Sequence, residues 1–314
     1  MARAEQGAKQ HSQGPDKSAA LSLARHRFDT IVSRARTMFQ MVSSTAPRHL
    51  LMFDASPAID VRSPTNLTEF ISRADRLVVR LTTGADEVRS AQRLRYRVFC
   101  EEIGARIDRH DGLDADPFDP HCEHLIVIDR FTDRVVGTYR ILPPWGARRA
   151  GGLYCEQEFR IEALNPIRHE LFELGRACIH PAWRDGSVLA KLWSGLGQYV
   201  RQHQVRYLLG CASVPLNRGS VNLGALRADL LHRHLAPLEY RVEPIRGLRS
   251  LGDPAGTKPA APPLLRAYLT LGAWICGEAA WDPQFDCADF LVLLPIERLS
   301  KRAARHFLGA DASQ

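Results

Sequence analysis

Several features that define other protein classes are missing from this 314-residue sequence. No uninterrupted apolar run of about 18 residues occurs, so the sequence predicts no membrane-spanning helix. The seven cysteines are odd in number and form no CxxC pair, which argues against a disulfide scaffold or a zinc knuckle. The N-terminus lacks a secretory h-region and a cleavage site, so we expect a cytoplasmic protein.

The net charge of +7 is absent from the middle of the chain. Residues 63–297 hold 29 basic and 29 acidic side chains, whereas residues 1–62 carry +4 and residues 298–314 carry +3. Because a nucleic-acid-binding fold carries its positive charge on the domain itself, no nucleic-acid partner is predicted. Basic ends around a neutral body fit an acidic protein partner or an anionic membrane surface better.

Apolar periodicity divides the chain into three parts. Residues 1–76 have the composition of a disordered or weakly helical basic leader and linker, with an amphipathic membrane-surface helix as the alternative. Residues 77–308 have the patterns of a folded α/β domain with a mixed sheet, and residues 309–314 form a tail. Strands are predicted at 77–81, 124–129, 134–142, 170–180, 206–213 and 290–294, helices at 85–99, 187–201 and 222–234, and either type at 264–276.

An acidic loop is predicted at residues 101–119. It holds seven carboxylates against Arg106 and Arg109, a local charge of −5. Such a loop could bind a small cation such as a diamine, or it could be a solvated loop. His110, His121 and His124 lie close by, but the spacing fits neither an EF-hand nor a zinc motif, so no metal site is predicted.

Glu173 lies in an apolar strand within the run Glu-Leu-Gly-Arg at 173–176. Strand alternation places Glu173 and Gly175 on one face and Leu174 and Arg176 on the other. Burial raises the pKa of a carboxyl group toward the range of a general base. Glu173 could therefore be a base, or it could form a structural salt bridge with Arg140 or Arg95.

The run His-Pro-Ala-Trp-Arg-Asp-Gly-Ser at 180–187 joins a predicted strand to a predicted helix. Free backbone N–H groups at such a junction can bind a phosphate, and Arg184 could add a direct contact. The alternative is an ordinary turn between a strand and a helix.

Taken in order, these three features resemble the GNAT acyltransferases. Ile179, Pro181 and Arg184 match the acyl-donor loop of that superfamily, whereas Ser187 and Leu189 stand where it has glycines. Two GNAT relatives, the acyl-homoserine-lactone synthases and the L-ornithine Nα-acyltransferases, are similar in further motifs. These are Arg-Tyr-Arg-Val-Phe at 95–99, the Asp-rich loop, Val-Gly-Thr-Tyr-Arg-Ile-Leu-Pro at 136–143, and Glu-Leu-Gly-Arg at 173–176.

The ornithine branch is the more similar of the two. It is favoured by Leu-Arg-Ala-Tyr at 265–268, Gly-Ala-Trp at 272–274 and Ala-Asp-Phe-Leu-Val-Leu-Leu-Pro at 288–295. This resemblance covers residues 77–308 and implies a GNAT-like fold, with a mixed, mostly antiparallel central sheet flanked by helices. It also implies an N-acyltransferase that moves a (3-hydroxy)acyl chain to the α-amine of L-ornithine, forming lyso-ornithine lipid. The donor would be the acyl-phosphopantetheine of acyl carrier protein, a co-substrate rather than a permanently bound cofactor.

The resemblance assigns expected roles to particular residues. Glu173 would be the catalytic base and Arg176 would orient it or the substrate. The substrate-binding set would be Arg95, Phe99, Asp111, Asp114 and Arg140, with the aspartates near the amines and the arginines on the carboxylate. The acyl-donor set would be Ile179, Arg184, Gly186 and Ser187.

Two other functions remain open at this point. One is an acyl-homoserine-lactone synthase that uses S-adenosylmethionine, and the other is a non-catalytic GNAT-like module that docks a carrier protein or a membrane. A lipid product would leave toward the inner membrane face, so peripheral membrane association is expected. A basic C-terminal helix with Arg298, Lys301, Arg302 and Arg305 could bind that surface or the carrier protein.

Overall fold

The computed structural model describes residues 75–107, 111–216, 221–248 and 261–308. The strands are β1 Leu77–Leu81, β2 Glu123–Asp129, β3 Arg134–Leu142, β4 Phe159–Arg160, β5 Leu171–Ile179, β6 Tyr207–Pro215, β7 Glu243–Pro244, β8 Trp274–Ile275, β9 Ala280–Asp282 and β10 Cys287–Pro295. The helices are α1 Ala85–Tyr96, α2 Pro144–Ala150, α3 Ser187–Gln202, α4 Leu223–His234, α5 Pro263–Leu271 and α6 Lys301–Phe307. The predicted leader and tail lie almost wholly outside these residues.

Eight strands form one mixed sheet. Seven follow the order β1-β2-β3-β5-β6-β10-β8, and β9 pairs with β10. Among the described strands of this sheet, only β5 and β6 pair in parallel. The prediction of a mixed, mostly antiparallel central sheet flanked by helices is confirmed.

The strand β2 is apolar on both faces, and helices pack against it from both sides of the sheet. Leu125 and Val127 join the large core that includes α3, while Ile126 and Ile128 pack against Ala91 of α1. Such a strand shows no polar alternation, as expected for a central strand buried on both faces.

Two predicted boundaries differ from the structure. The helix expected at 85–99 ends at Tyr96 and continues as a π-helical turn over Arg97–Ile103. Residues 264–276 combine both predicted types, since α5 ends at Gly272 in a left-handed conformation and β8 follows at once. The short elements α2 and β9 were not predicted, because seven and three residues are too few for a periodic signal.

The strands β5 and β6 separate after three paired positions. Their pairing runs from Leu171↔Tyr207 to Glu173↔Leu209 and then stops, although both strands continue. On its other edge β5 carries a bulge against β3, where Arg176 has a φ of 53°. A bulge increases local twist and bends its strand, which accounts for the divergence from β6.

The C-terminal helix α6 packs on the core through its apolar side. Phe307 is buried and meets the Trp193 ring of α3 edge-on at 5.4 Å. Lys301, Arg302 and Arg305 remain exposed. None of the helices in the described ranges is long and apolar enough to cross a membrane.

Candidate active site

A cavity of about 290 Å³ lies where β5 and β6 separate. Residues 173–177 of β5 and 208–213 of β6 form its two sides, and β10 and α5 complete it. Because β5 and β6 do not pair beyond Glu173 and Leu209, main-chain polar groups of residues 174–177 and 210–213 border the cavity.

Strand alternation gives the cavity two chemically different walls. Glu173 and Asp289 point to one face of the sheet, whereas Leu174 and Val292 point to the other and belong to the large apolar core. The apolar wall consists of Leu174, Leu208, Leu264, Leu265, Tyr268, Val292 and Leu294. One cavity therefore joins a polar compartment to an apolar one through the gap between β5 and β6.

Glu173 lines the polar wall and is buried. Its two carboxylate oxygens accept hydrogen bonds from the backbone N–H groups of Tyr154 at 2.6 Å and Cys155 at 2.8 Å. Burial raises the pKa of Glu173, and these two bonds offset part of that rise. The structure thus holds Glu173 by backbone groups and not by the direct arginine salt bridge considered as its structural alternative.

Arg95 is fully buried beside the predicted acidic loop. Its guanidinium donates to Asp114 Oδ2 at 2.9 Å and to both carboxylate oxygens of Asp119 at 3.0 and 2.8 Å. Burial alone would raise the pKa of Asp119, but Arg95 and Arg140 outweigh it and hold that pKa well below its usual range. Arg95 therefore organises the loop from inside the protein.

Arg140 and Arg176 join the same network from the cavity wall. Arg140 Nη1 donates to Asp116 at 2.6 Å and to Asp119 at 3.0 Å. Arg176 lies 3.2 Å from Asp114 and 3.3 Å from Asp116. Three guanidinium groups thus balance three carboxylates, so the strong negative field expected of the loop is largely neutralised where the loop meets the sheet.

The predicted position of the Arg176 side chain, on the same face of the sheet as Leu174, is wrong. Leu174 lies in the apolar core, but the guanidinium of Arg176 lies 4.9 Å from the ring centre of Tyr154, on the same side as Glu173. The bulge and the positive φ of Arg176 interrupt the alternation and turn this side chain toward Glu173.

The structure brings only some of the expected substrate residues to the cavity. Phe99, Arg140, Glu173 and Arg176 line it. Asp114 is held behind the wall by its arginines, and exposed Asp111 accepts from the backbone N–H of Leu113 at 3.2 Å.

The expected acyl-donor residues lie outside the lining of this cavity. Arg184 forms a bidentate pair with Glu102 at 2.6 and 2.8 Å. Gly186 has a φ of 95° and precedes α3, whose first residue, Ser187, donates from its backbone N–H and hydroxyl to Asp185. Asp185 thus satisfies the first backbone N–H group of α3, and the assignment of this junction to the acyl donor stays a prediction.

Sequence reasoning missed a second group of carboxylates in the cavity region. Glu158, Asp282 and Asp289 are buried and lie beside the thiols of Cys211 and Cys287. Their ligand atoms fall into two sets of three, each within 4.8 Å of one another, and Asp289 belongs to both. An aspartate at the third position of the otherwise apolar run 287–295 is a signal that could have indicated the site.

The sequence is similar to those of known acyltransferases. A family model of the acetyltransferase (GNAT) domain matches residues 94–194. An L-ornithine N(alpha)-acyltransferase of Rhodobacter capsulatus is 36% identical over 242 residues, which cover 71% of this chain and 92% of that protein. The protein of the same name from Rhizobium meliloti is 33% identical over 295 residues, covering 87% and 95%. The solved AHL synthase LasI aligns at 12% identity over 74% of this chain and 94% of its own, with a TM-score of 0.43.

Proposed function

Since this chain belongs to the family of L-ornithine N(alpha)-acyltransferases, we propose that it acylates the α-amine of L-ornithine. The donor in this proposal is a (3-hydroxy)acyl chain on acyl carrier protein, and the product is lyso-ornithine lipid. The observation that carries the proposal is that the cavity between β5 and β6 has both a polar and an apolar wall. An amino acid fits the polar wall, and an acyl chain fits the apolar wall.

The substrate carboxylate is assigned to Arg140 and Arg176. Both line the cavity, and a planar guanidinium can bind a carboxylate through two parallel hydrogen bonds. Their ion pairs with Asp114 and Asp116 fix both side chains in place before substrate binds. Arg95 is a positioning residue in this scheme, because it is fully buried and reaches the site only through the loop aspartates.

Glu173 is assigned the role of general base. It takes a proton from the α-ammonium group, directly or through a water, and the free amine attacks the thioester carbonyl carbon. Backbone N–H groups at the gap between β5 and β6 stabilise the tetrahedral oxyanion. The C–S bond then breaks, the nitrogen gives up its second proton to leave a neutral amide on the amino acid, and that proton is carried to the departing thiolate. Ser213, which lines the cavity, is a candidate donor of that proton.

The experiment is expression of the chain in a bacterium that makes no ornithine lipids, followed by mass spectrometry of the lipids and the medium. A new lyso-ornithine lipid supports the proposal. Acyl-homoserine lactones in the medium would instead support the synthase alternative. If neither product forms and the purified folded protein acylates no amine, the non-catalytic module is the better explanation.

The identity of the donor needs a separate assay. Purified protein is supplied with ornithine and with the same 3-hydroxyacyl chain either on acyl carrier protein or on CoA. We expect a higher kcat/KM with the carrier protein, because its acidic surface complements the basic helix α6. Equal rates with both donors would contradict a carrier-specific site.

A further inference from the structure

The buried acidic cluster of Glu158, Asp282 and Asp289 has no part in the chemistry described so far. The three side chains come from distant segments: the turn before β4, the end of β9 and the middle of β10. Each residue is at least nine-tenths buried, with exposures of 4%, 7% and 3%. Asp282 and Asp289 line the same cavity as Glu173, which connects the cluster with the proposed reaction centre.

The cluster differs from the arginine–aspartate network in its lack of positive partners. None of its three carboxylates forms an ion pair among the described residues. Asp282 accepts from two backbone N–H groups, and Asp289 accepts from the Cys287 thiol at 3.3 Å. The Oε2 atom of Glu158 is buried and has no hydrogen-bond partner in the described parts of the chain.

Such an arrangement is unfavourable without a ligand. Burial, followed by the charge of Asp289, raises the pKa of Glu158 to about 9, and burial also raises the pKa of Asp289. The cluster therefore keeps protons that a cation would displace on binding. A cation with several N–H donors would satisfy Glu158 Oε2 and ionise the group.

The chemistry favours an ammonium group over a metal ion. A metal ion bound by these cysteines would have to displace the thiol protons, and burial makes this costly because it raises the pKa of Cys211 and Cys287 far above its ordinary value. Neutral thiols leave three carboxylates as ligands, and a primary ammonium group offers three N–H donors. A buried carboxylate set that opens into an amino-acid cavity matches a side-chain amine.

We propose that Glu158, Asp282 and Asp289 bind the side-chain ammonium group of the acceptor amino acid and select a diamino acid over a neutral one. This inference rests on the proposed function for the acyl transfer itself. It adds a second recognition point, so that the arginines hold the carboxylate, Glu173 faces the reacting amine, and the acidic cluster holds the far amine.

The test compares ornithine with norvaline, which has the same carbon chain without the terminal amine. For the wild type, Glu158→Gln and Asp289→Asn, steady-state kinetics give kcat and KM for each amino acid. Titration calorimetry gives the binding affinity for each. Glu162→Gln is the matched control, since Glu162 is an exposed acid outside the cavity. Thermal melts verify that each variant is folded.

The wild type is expected to prefer ornithine, and each cluster variant to lower the ornithine-to-norvaline ratio of kcat/KM by roughly tenfold or more. The loss should appear mainly in KM, and the control should keep the wild-type ratio. An unchanged ratio in both folded variants overturns the proposal. The proposal is also overturned if the protein binds Mn²⁺ or Zn²⁺ and Asp289→Asn abolishes this binding without changing the ornithine-to-norvaline ratio of kcat/KM.

Failure of the proposed function gives a different pattern. If the wild type acylates neither amino acid with any donor, the acyltransfer proposal fails, and calorimetry still decides the inference. Ornithine binding that exceeds norvaline binding and weakens in both cluster variants supports the ammonium site. Equal binding of the two amino acids by the wild type contradicts it.

Discussion

Glu173 combines burial, two backbone hydrogen bonds and a position on the polar cavity wall. We predict that Glu173→Gln lowers kcat by about 10²- to 10⁴-fold, the usual contribution of a positioned general base, with a smaller effect on the KM for ornithine. Steady-state kinetics measure both parameters, with Glu162→Gln as the control. A folded Glu173→Gln protein with wild-type kcat would remove Glu173 from the proposed mechanism.

Glu158 makes stability depend on pH in a definite direction. Because its pKa is raised to about 9, the folded protein holds a proton that the unfolded chain releases near pH 4.5. The free energy of unfolding therefore decreases as pH rises from the pKa of Glu158 in the unfolded chain through its pKa of about 9 in the folded protein. We predict that Glu158→Gln raises Tm at pH 9 more than at pH 6, measured without substrate.

The groups around Glu158 shape this result. Asp289, Asp282 and Cys211 contact or face it, and Asp289 titrates together with it. The Glu162→Gln control changes the same charge at the surface and should show no such pH dependence. A Tm difference that is equal at both pH values would contradict the raised pKa of Glu158.

The element that matters most for the site is β5. Its existence follows from the apolar run that begins at Leu171, and the sequence predicts the strand to within one residue at each end. The bulge does not follow from the sequence, since it depends on the pairing partner: Arg176 and Ala177 of β5 together lie opposite the single β3 residue Tyr139. For that reason alternation predicts Glu173 correctly and fails for Arg176 three residues later.

The contribution of the contact between α3 and α6 to stability can be tested with a substitution in α3. A Cβ atom at Gly197 would lie 2.9 Å from the carbonyl carbon of Phe307 and still closer to its oxygen, so the backbone of α6 would have to move. We predict that Gly197→Ala destabilises the protein by about 1–3 kcal/mol, despite the better helix propensity of alanine. Chemical denaturation followed by tryptophan fluorescence measures the change.

The matched control for this prediction is Gly84→Ala. A Cβ atom at Gly84 meets nothing within 4 Å, and the residue has extended backbone that any amino acid adopts. Because Gly84 is the N-cap of α1, where alanine is less favourable than glycine, its substitution should cost at most about 1 kcal/mol. If Gly197→Ala were as stable as the control, the close approach of α3 and α6 would not contribute to the fold.

At the scale of the whole molecule, the sequence indicates fold and family more fully than the site. Strand order and the parallel β5–β6 pair agree with the motifs that resemble GNAT enzymes. The acidic cluster could not be predicted in this way, because its residues are far apart in the sequence, with Glu158 and Asp289 separated by 131 positions. The charge of −5 counted within the acidic loop also does not describe the folded site. Arg95, Arg140 and Arg176, which come from three separate elements, neutralise the loop.

The distribution of charge leads to the last prediction. The exposed Lys301, Arg302 and Arg305 of α6 form a basic surface, whereas the apolar residues of this helix pack inward. We predict that replacing all three by glutamate raises the KM for acyl carrier protein by about tenfold or more at low salt, with little effect on an acyl-CoA donor. The difference should shrink as ionic strength rises, because salt screens exposed charges. The control reverses three exposed arginines elsewhere: Arg130, Arg148 and Arg149. Equal losses in both triple variants, or a loss that is the same with both donors, would show that α6 does not dock the carrier protein.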